Sequence, residues 1–175
     1  MIFDSDIVIG MIILIVGMGF FTISMVEHTD SYADAVKTNI LYDKASDQLK
    51  SLVSDGTLES AIILINCGYG SIAEEVLRNR ISLENYELQI GNYIISEGNL
   101  SNKNIVIVST VIAINRTEGW YGVYGDNTTL YITDEYFLSE DEAYNYLHQY
   151  QHPFKRAIYY FRSSDPINIT LIYGG

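Results

Sequence analysis

His148 and His152 are the pair best spaced for chemistry. Four residues apart, they share a face if their segment is helical, and Glu140, Asp141 and Glu142 stand just upstream. Imidazole nitrogens and carboxylate oxygens together are zinc-type ligands. The segment has no His-Glu-x-x-His pattern, and His152 precedes Pro153, where a helix must end. We read the two as a surface pair. His28 follows an apolar run and reads as an interfacial residue. Cys67 is the single cysteine, so no disulfide can form within the chain, and Ile62 to Ile65 before it mark it as a buried, inert thiol. The sequence has no phosphate-cradling glycine loop and no Gly-x-Ser-x-Gly elbow, and its carboxylates are scattered. These residue types predict no enzyme, no metal and no cofactor.

Asparagine carries a different signal. Asn99, Asn115, Asn127 and Asn168 each open an Asn-x-Ser/Thr sequence without proline, so four of the seven asparagines after Gly98 are acceptors for N-linked sugar. That points to a domain outside the cell. The net charge of −12 opposes contact with nucleic-acid phosphates and gives no electrostatic reason to lie on anionic lipid.

Membrane contact would have to come from apolar insertion, and the sequence offers a segment for it. Ile7 to Val26 is a run of 20 residues without a charge. As a helix it is about 30 Å long, one hydrocarbon core. It has no polar face, only Gly10, Gly17, Gly19, Thr22 and Ser24 among large apolar side chains. Two acids, Asp4 and Asp6, precede it, and the first basic residue, Lys37, lies on the far side. Taken alone, that charge order would put the remainder of the chain inside the cell. A short basic leader, removed to leave Met1 as the mature N-terminus, reconciles it with the sugar acceptors.

With Met1-Ile2-Phe3-Asp4-Ser5-Asp6-Ile7 followed by that run, the first 55 residues or so resemble archaeal type IV pilins, the class III signal-peptide proteins. The resemblance implies cleavage by a prepilin peptidase and a membrane-held subunit. The pilus assembly machinery would then build a homo-oligomeric helical filament with the apolar helices bundled at its centre. It also implies that Asp6 meets the N-terminal amine, here that of Met1, on a neighbouring subunit. Gly10, Gly17 and Gly19 would permit close helix approach.

The elements that must position these residues follow from periodicity. The helix is predicted to continue to about Ser54, with Gly56 ending it. Tyr32, Ala33, Val36 and Ile40 fall on one side of it; Leu41, Ala45, Leu49, Leu52 and Val53 fall nearly opposite. The early stripe suits neighbours and the late stripe suits the subunit's own domain. Capping boxes at Ser71-Ile72-Ala73-Glu74 and Ser139-Glu140-Asp141-Glu142 open two short helices, the first to about Arg80 and the second to about Gln151. Strands are predicted at Tyr86–Ile95, Ile105–Ile114, Trp120–Tyr124, Leu130–Thr133, Ala157–Arg162 and Ile167–Tyr173. Ten of the fifteen tyrosines lie after Gly119. They read as half-buried strand residues, with a binding surface as the alternative.

The expected architecture is α+β. A long apolar N-terminal helix in residues 1–55, the membrane or filament core, precedes a small extracellular domain in 56–175 with a mostly antiparallel sheet and short helices. The expected function is a structural pilus-like subunit at the cell surface, membrane-inserted before assembly and serving adhesion. The rivals are a monomeric, membrane-anchored binding or sensing domain, and a surface hydrolase with a metal at His148 and His152.

Overall fold

The computed structural model describes residues 3–162 and 165–175, with the side chains of residues 3–13 and 30 outside the description. Helix α1 runs Phe3–Ser54. It is followed by α2 (Thr57–Asn66), α3 (Gly70–Arg80), β1 (Tyr86–Ile90), β2 (Tyr93–Glu97), β3 (Ile105–Ile112), β4 (Gly119–Gly125), β5 (Leu130–Ile132), α4 (Glu140–Leu147), β6 (Phe154–Tyr160) and β7 (Ile167–Gly174). The chain divides into two compact units, residues 1–40 and residues 41–175.

The long helix forms, but the membrane-spanning element expected within residues 1–55 is corrected. Among the described residues no helix is long and apolar enough to cross a membrane. In the part of α1 whose side chains are described, the uncharged stretch stops at Val26, and Glu27, Asp34 and Lys37 follow along the same helix.

In the second unit, the expected late stripe of α1 is largely borne out. Leu41, Ala45, Leu49 and Leu52 are buried in a core shared with α2, α3 and both sheets, whereas Val53 stays exposed. The helix stops where Gly56 turns left-handed (φ 78°), a conformation that costs glycine little. Polar contacts fix this part of α1. Arg80 Nη2 donates to Asp55 Oδ2 at 2.8 Å, and Gln48 Oε1 accepts from the backbone and hydroxyl of Ser82.

The strands form not one sheet but two, both antiparallel, ordered β2-β1-β7-β3 and β5-β4-β6. In the first, alternate residues such as Tyr86, Leu88, Val106, Val108, Ile169 and Leu171 enter the core. The expected single strand Tyr86–Ile95 is a hairpin instead. Gly91 adopts φ 56° and, with Asn92, makes a two-residue turn that joins β1 to β2. The capping box at Ser71 is also corrected: α3 begins at Gly70 with Tyr69 before it and no side-chain cap. Glu74 instead accepts from Arg78 Nη2 at 2.8 Å and from the Tyr93 hydroxyl at 2.9 Å. At α4 the cap holds, with Ser139 Oγ accepting from the Glu142 N–H, but the helix ends at Leu147, short of Gln151.

Candidate functional site

The strongest candidate surface is the helix within residues 1–40. Leu14, Ile15, Val16, Met18, Phe20, Phe21, Ile23, Met25 and Val26 are each half or more exposed. At about 100° per residue these positions cover every side of the helix. Thr22 Oγ1 donates to the Met18 carbonyl at 2.8 Å, so its polar atom is satisfied within the helix and its methyl adds to the apolar surface. Gly17 and Gly19 have nothing within 4 Å of where a Cβ would stand, leaving two shallow sites for a close neighbour. Further along, Tyr32, Val36 and Ile40 of the early stripe are exposed as well. Met1 lies outside the described residues, and Asp4, Asp6 and Gly10 fall where side chains are not described.

All four sugar-acceptor asparagines are exposed. Asn99 sits in the loop after β2, where its Oδ1 accepts from the Ser101 N–H at 2.8 Å. Asn127 is at the tip of the β4–β5 hairpin, beside Asp126, whose carboxylate accepts from the backbone of Thr128 and Thr129. Those backbone hydrogen bonds, the Thr128 N–H first, hold the Asp126 carboxyl below its ordinary range. Asn168 lies on the outer face of β7, and Asn115 lies between β3 and β4.

His148 and His152 enter separate aromatic contacts. His148 stands edge-on to Tyr144, with ring centroids 4.9 Å apart, while His152 lies against Tyr124 at 5.2 Å and Tyr131 at 6.1 Å. Among the described residues no cluster of His, Cys, Asp and Glu is placed to hold a metal ion. Cys67 is half-buried, not fully buried; its thiol donates to the Tyr159 carbonyl at 3.3 Å, and burial pushes its pKa up.

Two arrangements escaped the sequence reading. Arg116, the middle residue of an acceptor sequence, donates to Glu59 Oε1 at 2.6 Å and to the Thr133 carbonyl at 2.7 Å, and lies over the Tyr121 ring. No motif marks such a pair, which joins α2 to the loop before β4. The second is a cluster of Tyr124, Tyr131, Tyr146, Tyr150, Phe137 and His152, whose rings contact one another. The surplus of tyrosine after Gly119 was its one trace in the sequence.

No family model and no solved structure matches the chain. The uncharacterized protein MJ1471 of Methanocaldococcus jannaschii is 36% identical over 173 residues, spanning 98% of this chain and 97% of that protein. The chain belongs to the MJ1471 family. The match runs through both compact units.

Proposed function

We propose that the chain is a structural subunit of a pilus-like filament at the cell surface, assembled through its N-terminal helix. The observation that supports this is the ring of exposed large apolar side chains from Leu14 to Val26. A patch of that extent is unfavourable in water and marks an interaction site. Packing against the same helix of other copies removes it from solvent, and each large apolar side chain fully buried contributes roughly 1.5–3 kcal/mol. Gly17 and Gly19 let the helices approach closely. The pilin resemblance of the first 55 residues supplies the remaining parts: Asp6 paired with the N-terminal amine of a neighbouring copy, a prepilin peptidase and assembly machinery as partners, and a role in adhesion. Sugar on one or more of Asn99, Asn115, Asn127 and Asn168 fits their exposure.

Negative-stain electron microscopy of native material tests the reading, with Phe20→Asp/Phe21→Asp as the variant. Wild type is expected to form thin filaments of one repeating subunit, and the variant none, while its domain melts as in wild type. Monomers alone from wild type, or filaments undiminished in the variant, overturn the proposal. Intact-mass spectrometry of the same material reads the sugars directly.

A further inference from the structure

We propose that a pocket in the second unit, between the β4–β5 sheet and the end of α4 with the residues that follow it, binds an organic cation carrying an alkylated ammonium group. The pocket holds about 300 Å³, at the small end of ligand sites. Its lining includes four aromatic rings, Tyr124, Phe137, Tyr146 and Tyr150, together with Asp134 and Glu135. Tyr124 and Tyr150 are stacked with centroids 4.2 Å apart, and Phe137 lies 5.2 Å from Tyr146. No Lys or Arg is among the described residues that line it, and Lys155, opposite Tyr124 in the strand pairing, is not one of them. Four aromatic rings and two carboxylates around one small space favour a positive, weakly hydrated ligand. They repel phosphates and carboxylates.

The site is built in advance of any ligand. The segment bearing the two carboxylates is tied down at three points. Arg116 donates to the Thr133 carbonyl at 2.7 Å. The Thr133 hydroxyl donates to the Glu135 carbonyl at 3.1 Å and accepts from the Gly122 N–H. Phe137 and Trp120 exchange two backbone hydrogen bonds, at 2.7 and 3.2 Å. On the opposite wall the Tyr150 hydroxyl donates to that of Tyr146 at 3.0 Å, which fixes both rings. That hydrogen bond first, and last the charges of Glu135 and Asp134, raise the Tyr146 pKa. Fixed walls reduce the ordering cost of binding.

Calorimetric titration of the full-length chain in nonionic detergent tests the site. The probes are choline, its uncharged isostere 3,3-dimethylbutan-1-ol, an N-acetylated trimethyl-lysine amide, and glucose. At least one of the two cations is expected to bind about tenfold or more tighter than the isostere. Preference for choline identifies a free quaternary amine as the source, and preference for trimethyl-lysine a modified protein side chain. Tyr150→Leu is expected to weaken that binding about tenfold, and Tyr150→Phe, which keeps the ring but loses the hydroxyl pair, to weaken it less. Asp134→Asn/Glu135→Gln, at exposed positions, is expected to weaken it several-fold with unchanged melting. Equal affinity for cation and isostere, no saturable cation binding at millimolar concentration, or preferential glucose binding overturns the proposal.

Discussion

Tyr86 shows how one buried side chain couples this fold to solution conditions. It is fully buried, with its hydroxyl 3.5 Å from Glu97 Oε2. Burial first, and then the Glu97 charge, push its pKa up to about 12. Below about pH 10 folded and unfolded chains both keep the proton, and this group leaves stability unchanged. Above that the unfolded chain ionises while the folded chain does not, so stability falls as pH rises, by about 1.4 kcal/mol per pH unit, until the folded pKa is reached. Denaturant unfolding at pH 9, 10 and 11 should show Tyr86→Phe losing less stability than wild type; parallel losses would count against the coupling. Arg116 acts through geometry rather than titration. Arg116→Met leaves Glu59 and the Thr133 carbonyl without their donor, which should cost about 1–3 kcal/mol. A melting point lowered by several degrees is the expected readout.

Among the elements, α4 illustrates what local signals can and cannot say. Its start was legible because Ser139 caps the Glu142 N–H through neighbouring residues alone. Its place on β4 was not, because that depends on Gly122. A Cβ there would stand 2.7 Å from Leu147 Cδ2 and 3.2 Å from Thr133 Cγ2, so the strand accepts the helix only where it has no side chain. Gly122→Ala should therefore destabilise by about 1–3 kcal/mol. Hydrogen exchange should quicken in α4 before it quickens in β1; uniform protection would show that the contact is slack. The box at Ser71 failed for a related reason. Glu74 is held by Arg78 and Tyr93, and Tyr93 belongs to a strand that periodicity alone had merged with its neighbour. The Gly91-Asn92 turn that separates them was a short signal between two β-type runs, Tyr86–Ile90 and Tyr93–Ile95.

At the scale of the whole molecule, the alternation of apolar residues marked most strands, and the two stripes on α1 marked where it leaves one environment for another. What alternation could not supply is the partition into two sheets, or the meeting of Tyr124, Phe137, Tyr146 and Tyr150 at one pocket. Those contacts join residues distant in sequence, and a single chain carries no record of such pairings. Compactness begins at Leu41, which is buried in the core, earlier than the end of α1 at Ser54 suggests. A fragment of residues 41–175 should thus be soluble and unfold cooperatively on heating, whereas one beginning at residue 56 loses Leu41, Ala45, Leu49 and Leu52 from its core and should not. Scanning calorimetry of the two fragments decides this, and equal cooperativity would refute it.

The order β2-β1-β7-β3 also sets a timetable. The β1–β2 hairpin closes over two residues and can assemble within microseconds. The partner on its other side, β7, comes from the far end of the domain's sequence, with Leu88 opposite Leu171. Until β7 arrives, β1 and β3 each present an open row of backbone donors and acceptors beside exposed Ile94, Ile107 and Val111. Such late, long-range closure makes for a slow-folding chain. Its nascent form is then the sticky one, and a newly made chain would need shielding for as long as that slot stays empty.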